Sequence, residues 1–260
     1  MGLLLVPIGV VIAAGLWSYF QQKSENQRAD ARDALEREIA LDQQREETLR
    51  SYFDKIGSLL IEKELVKTKI VGVNTKEEAT RKYAQILTVT ALRNLDTERK
   101  NMILQFLRDA NLADFILSKA NLSNINLENT LLTGFNLSKV DLRMANLREA
   151  KLMGVYLDDA DIEESNLNKA NLFGAHLTRA KIISTDLSEA VLNAADLTGA
   201  NLWKSNLANA NLIEAVLLKS TLYDTDFSGA NLSGSFVTNE QLSTAASLKG
   251  ATMRDGTKHE

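Results

Sequence analysis

From Ala110 to about Val237 an apolar residue recurs at every fifth position, beginning Leu112, Leu117, Leu122, Leu127 and Leu132. Among these 26 positions only Ile162, Ile182, Phe227 and Val237 are not Leu. Two residues before each lies a second restricted position, Ala at 14 of the 26 places and mostly Ser or Thr elsewhere. The residue between the two is usually Asn or Asp, and the remaining two vary. A five-residue period fits neither the helical 3.6 nor the strand's 2. It is satisfied if the chain turns a corner every five residues, so that four pentapeptides close a square coil of 20 residues. The large and the small residue then point inward and the other three outward. Stacked coils pair their backbones along the axis, so a single coil is not stable alone. A narrow bore explains Ala, Ser and Thr at the second inward position, because larger groups would overpack it. Phe115, Ile125 and Phe135 break that rule in the first coils, as expected of a widened layer where the rod meets other structure.

Ahead of the repeats the pattern is helical. Residues 2–20 carry no charge. At about 1.5 Å per residue they span roughly 28 Å, close to a bilayer's hydrocarbon thickness. Trp17 and Tyr19 sit where an aromatic belt would lie. No Lys or Arg precedes the segment and no small-x-small site follows it, which argues against a cleaved signal peptide. The expectation is an uncleaved single-pass anchor, with Lys23, Arg28 and Arg32 placing the body on the cytoplasmic side. Ser24 to about Arg50 is densely charged, with acid-first pairs Asp33–Arg37 and Glu46–Arg50 at helical spacing. Leu35, Leu49 and Ile56 share a heptad position that Asp42 interrupts, so a solvated stalk is expected in preference to a coiled coil.

From Leu49 the residues Tyr52, Phe53, Ile56, Leu59 and Leu60 recur at three- and four-residue spacing. Gly72 and Asn74 mark a turn, and Thr75 with Glu78 reads as a capping box. Tyr83, Ile86, Leu87, Val89, Leu92 and Leu95 predict the apolar face of the next helix. A third helix is expected from Asp96, its N-cap, through Met102, Ile103, Phe106 and Leu107. Beyond the repeats, Thr238 with Gln241 predicts a short helix whose Leu242, with Leu248, covers the last coil. The expected organisation is an anchor at 1–23, a stalk at 24–48, a helical module at 49–109, the repeat rod at 110–237, and a cap and tail at 238–260.

Composition narrows the chemistry. The formal net charge of −4 and pI of about 5.4 argue against bulk nucleic-acid binding. The absence of Cys removes disulfides, thiolate metal sites and thiol nucleophiles together. His176 and His259 are the only histidines, with no serine or cysteine constellation around them, and no Walker loop or dinucleotide fingerprint occurs. Neither an enzyme nor a cofactor is expected. Asp158, Asp159, Asp161, Glu163 and Glu164 cluster at one corner, and a solvated face is the expectation there ahead of a cation site.

Runs such as ANLSN, ANLRE, ADLTG and ANLWK resemble the A(D/N)LXX signature of the pentapeptide-repeat family. The resemblance covers about half of the chain and implies a mainly β fold. That fold is a right-handed quadrilateral β-helix, preceded here by one transmembrane helix, the helical stalk and the small α-helical module. With coils about 4.8 Å apart the rod would be on the order of 30 Å long. YFDKIGSLLIEKEL and LRNLDTERKNMILQFL resemble a leader found before the repeats in many cyanobacterial members, which implies a membrane-attached member.

Counting in twenties assigns outward residues to faces. Asn126, Asn146, Asn166, Asp186, Asn206 and Asp226 form one column, expected to hydrogen-bond the corners. Ile183, Trp203 and Tyr223 form another, and Met153, Phe173 and Ile213 lie on the opposite face. Val216, Leu218 and Phe236 make a patch near the end. Aligned exposed apolar groups mark candidate interfaces, and Trp and Tyr are favoured anchors. The occupant would be a protein partner, the chain's own tail, or a second copy in a homodimer. The leading expectation is a membrane-tethered scaffold. The alternative comes from the resemblance: some family members imitate DNA and regulate a topoisomerase. Residues 110–240 carry 16 Asp or Glu against 10 Lys or Arg, a modest net of −6.

Overall fold

The computed structural model describes residues 8–61 and 75–260. Its helices among the described residues are α1 (Ile8–Ile61), α2 (Thr75–Asn94), α3 (Thr97–Asp109), α4 (Ala113–Leu117) and α5 (Asn239–Leu242). Pro7 and the turn expected at Gly72 and Asn74 lie outside the described residues. The chain divides into two compact units, Met1–Glu47 and Thr48–Glu260.

In the first unit the large apolar side chains of α1 described from Leu16 to Leu41 are exposed, among them Trp17, Tyr19, Phe20, Leu35, Ile39 and Leu41. Leu49 and Ile56, which share a heptad position with Leu35, are instead buried in the second unit. The expected membrane anchor is overturned: no helix among the described residues is long and apolar enough to cross a membrane. Residues 2–7 of the expected anchor lie outside the described residues, and Gln21, Gln22 and Lys23 follow Phe20. The single-pass localisation and its orientation are overturned with it.

The second unit begins with a helical module. Leu49, Tyr52 and Ile56 of α1 are buried, with Ala84, Ala91 and Leu92 of α2 and Ile103, Leu104 and Leu107 of α3. The Tyr52 and Thr88 hydroxyls meet at 3.2 Å inside this core, and Thr88 Oγ1 donates to the Ala84 carbonyl at 2.8 Å. Asp96 caps α3 by accepting the Arg99 amide. Of the face read in the sequence, Leu92 and Leu95 are buried and Leu87 and Val89 are half-buried against the core, while Tyr83 and Ile86 are exposed and Ala84, Thr88 and Ala91 face in. The helix α2 packs on both α3 and α4.

Single parallel bridges then link residues 20 apart, from Asn121↔Asp141 to Val216↔Phe236. The pattern repeats at every corner. The Leu122 amide donates to the Asp141 carbonyl at 2.7 Å, and the Asp141 amide returns to the Ala120 carbonyl at 3.0 Å. Ile125 N closes a turn onto the Leu122 carbonyl at 3.3 Å, with Asn124 at φ 56. A β-turn with positive φ at its third residue suits Gly or Asn. The chain nevertheless places Lys, Glu, Met and Ala there, at Lys139, Glu149, Met144 and Ala194. The Asn or Asp position is explained by its side chain, which accepts the amide two residues on, as Asn126 Oδ1 does from Glu128 N at 3.0 Å. Inward Leu and Ala residues such as Leu142, Leu147, Ala150 and Ala160 are fully buried.

This geometry corrects the expected mainly β class. The described residues contain no strand: all of their β pairings are isolated bridges. The corner takes most of each pentapeptide and leaves one bridging residue per side, too few for a ladder. The continuous regular elements are the helices. The first two pentapeptides depart further, since Ala113–Leu117 is helical, and Leu112 and Leu117 are buried in that cap.

The first coil has no coil before it, and its free backbone groups are taken by helix side chains. Lys100 Nζ donates to the Asn126 carbonyl at 2.6 Å, Thr97 Oγ1 to that of Glu128, Arg93 to that of Ser123 and Arg108 to that of Thr133. Asn101 Oδ1 accepts the Leu131 amide at 2.8 Å. At the other end α5 carries a full capping box between Thr238 and Gln241. Past it the coil resumes with a slip of one residue, pairing Asp226↔Ser247 and Asn231↔Thr252. The segments ASLKG and ATMRD thus act as further pentapeptides, and an antiparallel bridge Thr252↔Lys258 closes the chain.

Candidate protein-interaction surface

Ile183, Trp203 and Tyr223 each follow an inward residue and stand at the start of a corner. Adjacent coils are joined beside them: Ser184 N donates to the Trp203 carbonyl at 2.9 Å and Lys204 N to that of Tyr223 at 3.1 Å. The three therefore lie in one column. Tyr223 is 56% exposed, Trp203 39%, and Ile183 is half-buried. Trp203 is held from two sides. Its amide donates to Asn201 Oδ1 at 3.1 Å, and Lys204 Nζ lies 4.7 Å from its ring centre.

Beneath this column runs a ladder of buried hydroxyls absent from the sequence reading. Thr185 Oγ1 donates to the Ile162 carbonyl at 2.7 Å, Ser205 Oγ to that of Ile182 and Thr225 Oγ1 to that of Leu202 at 2.8 Å. Each hydroxyl ties its coil to the one before. The signal was present: Ser165, Thr185, Ser205 and Thr225 stand 20 apart. The platform under the aromatic column is thus cross-linked by hydrogen bonds as well as by packing, which limits the rotamer and backbone freedom that binding would otherwise have to quench.

On the opposite side Met153 and Phe173 are exposed and Ile213 is half-buried, with Asn193 standing between Phe173 and Ile213. Val216 and Phe236 are bridged directly, while Leu218 lies in a neighbouring column beside Gly199. The Val216–Phe236 column also contains Tyr156 and His176, whose rings stack at 4.5 Å with 5° between planes. That pair too was missed; it sits at the outward position usually held by Asn or Asp.

The charged corners are paired between coils. Arg179 Nε donates to Asp159 Oδ1 at 2.8 Å and Nη2 to Oδ2 at 2.9 Å, and Lys181 reaches Asp161 at 3.4 Å. The Arg179 guanidinium holds the Asp159 carboxyl below the usual carboxylate range. Arg143 does the same to Asp141, and Arg148 pairs with Glu128. Asp141 and Asp161 are bridged on adjacent coils, and each has a basic partner, Arg143 and Lys181. No group of three or more His, Asp or Glu able to hold a metal occurs among the described residues.

The family model for pentapeptide repeats matches residues 120–157, 156–193 and 195–234, in eight copies. No curated protein matches the chain. Solved structures similar to parts of it include the following three. HetL from Nostoc sp. strain PCC 7120 is a pentapeptide-repeat protein involved in heterocyst differentiation regulation. It is 26% identical over 55% of this chain and 86% of its own, with a TM-score of 0.31. Rfr23 from Cyanothece 51142 is 27% identical over 50% of this chain and 93% of its own, with a TM-score of 0.32. QnrB1, a plasmid-mediated fluoroquinolone resistance protein, is 17% identical over 46% of this chain and 68% of its own, with a TM-score of 0.30.

Proposed function

Starting from a chain that belongs to the pentapeptide-repeat family through residues 120–234, we propose that it is a non-enzymatic protein-binding module whose rod offers the Ile183–Trp203–Tyr223 column to a protein partner. The observation that carries this reading is the alignment of Trp203 and Tyr223 on consecutive coils, both exposed, above a hydrogen-bonded ladder of buried hydroxyls. Large aromatic side chains held on a rigid support lose little freedom on binding and make efficient anchors. A rod also keeps its spacing, so a partner meets anchors about 4.8 Å apart. The pairing of Asp159 with Arg179 and of Asp161 with Lys181 neutralises part of the acidic face and counts against imitation of a DNA phosphate backbone.

The test compares proteins captured from the source cells by the intact chain and by the double variant Trp203→Ala, Tyr223→Ala. Both side chains point outward, so the variant should keep the circular dichroism and melting of the parent. Partners retained by the parent and lost by the variant are the expected result. Identical capture by both chains would sink the reading.

A further inference from the structure

Met102 stands in the expected apolar face of α3, yet it is 49% exposed. Leu131 stands at the outward position where neighbouring corners carry Asn126 and Asn136, and it is 44% exposed. The two residues meet across a groove of about 660 Å³ between the end of α1, α3 and the first coil. Its floor is Phe53, Met102, Phe106 and Leu131. Phe53 and Phe106 are locked edge-to-face, with centres 5.2 Å apart and planes at 82°. Glu98 and Asp109 stand on its rim, and no Lys or Arg is among the described residues that line it.

Leu131 does nothing for its own corner. Asn126 and Asn136 each accept the amide two residues on, of Glu128 and Ser138, at 3.0 Å. Leu131 has no acceptor to offer Thr133. The Leu131 amide donates to Asn101 Oδ1 at 2.8 Å, which ties the backbone of this corner to α3.

We infer that this groove docks a partner's amphipathic helix whose apolar stripe is flanked by Lys or Arg. The apolar floor takes the stripe, and the carboxylates of Glu98 and Asp109 face the flanking cations. Flanking charges of opposite sign select the partner and speed its arrival, while the buried apolar anchors set its residence time. The site lies on the helical module and is independent of the Trp203 column.

The probe is a fluorescent helical peptide made only of leucine and lysine, with leucines at i, i+3, i+4 and i+7, titrated against the full chain by anisotropy. Its counterpart has glutamate in place of lysine. The variant is Leu131→Asn with Met102→Gln; Asn at 131 restores the corner acceptor found at Asn126, so the rod should melt as before. The lysine peptide should bind the parent chain, bind the variant at least about tenfold more weakly, and lose affinity with added salt. The glutamate peptide should not bind, and Trp203→Ala with Tyr223→Ala should leave lysine-peptide binding unchanged. Absence of binding, equal binding of both peptides, or affinity that survives the groove variant would each overturn the inference.

Discussion

The Lys100 ammonium lies 2.6 Å from the backbone carbonyl oxygen of Asn126, and Lys100 is only 5% exposed. One coil later the equivalent oxygen, that of Asn146, accepts the Leu127 amide at 2.7 Å. For Asn126 no such coil exists, and a helix side chain supplies the donor. The helical module therefore ends the rod in the way another coil would, and an exposed row of unpaired backbone groups is avoided.

Lys100→Met keeps the stem and removes the donor. The unsatisfied carbonyl should cost about 1–3 kcal/mol. Urea unfolding would read the loss, and hydrogen exchange should place it in the coil that begins at Ala120 before the coils near Phe227. Unchanged exchange in that first coil would mean that water replaces the ammonium at no cost.

Leu167 lies on the axis at 1% exposure, whereas Leu218 is 44% exposed at a corner. Truncation to Ala should cost about 2–5 kcal/mol at Leu167 and remain within about 0.5 kcal/mol at Leu218. In a repeat rod each coil touches only its neighbours, so the Leu167 variant should also broaden the unfolding transition.

Ala194 sits at φ 55 and Gly154 at φ 59 in equivalent corners. A β-carbon at Gly154 would meet nothing within 4 Å. Gly154→Ala should therefore carry only the conformational penalty, about 1–2 kcal/mol. Ala194→Gly should be neutral or stabilising by up to about 1 kcal/mol, the relief of φ being partly offset by glycine's greater freedom in the unfolded chain. Paired thermal melts of the two variants measure both signs.

Burial pushes the Tyr52 phenol up to about 12, against about 10 in an unfolded chain. Folding therefore favours the protonated phenol. The stability this contributes is complete below about pH 10 and is lost as the pH rises toward about 12. Tyr52→Phe should flatten the fall in stability across that window relative to the parent. The difference in ultraviolet absorbance between parent and variant should show the Tyr52 phenol ionising toward about pH 12.

How much could be read in advance depends on how local the cause is. The inward Leu residues were legible because each coil poses the same steric problem at a fixed interval. The neighbours of Trp203 could be found by counting 20 residues in either direction. Ser165, Thr185, Ser205 and Thr225 could have been found the same way. The repeats at ASLKG and ATMRD were hidden because α5 shifts the register by one residue, and a fixed period does not look past a slip.

Other features depend on what packs against what. Pattern alone placed Tyr83 and Ile86 in the core with Leu92, but only Leu92 is buried, and Ala84, Thr88 and Ala91 face in beside it. Phe115 belongs to a pentapeptide that folds as α4, because the helical module offers it an end to cover. Strands were expected, but a corner every five residues leaves only isolated bridges.

Spacing and residue type were enough to establish the period of the rod, its axial residues and the chemistry of its corners, since those follow from sterics within a few residues. The tertiary structure alone decided which apolar groups remain in water, which hydroxyls meet a carbonyl 23 residues away, and how Lys100 closes the first coil. Each of these depends on distances between segments far apart along the chain, and no local pattern encodes them.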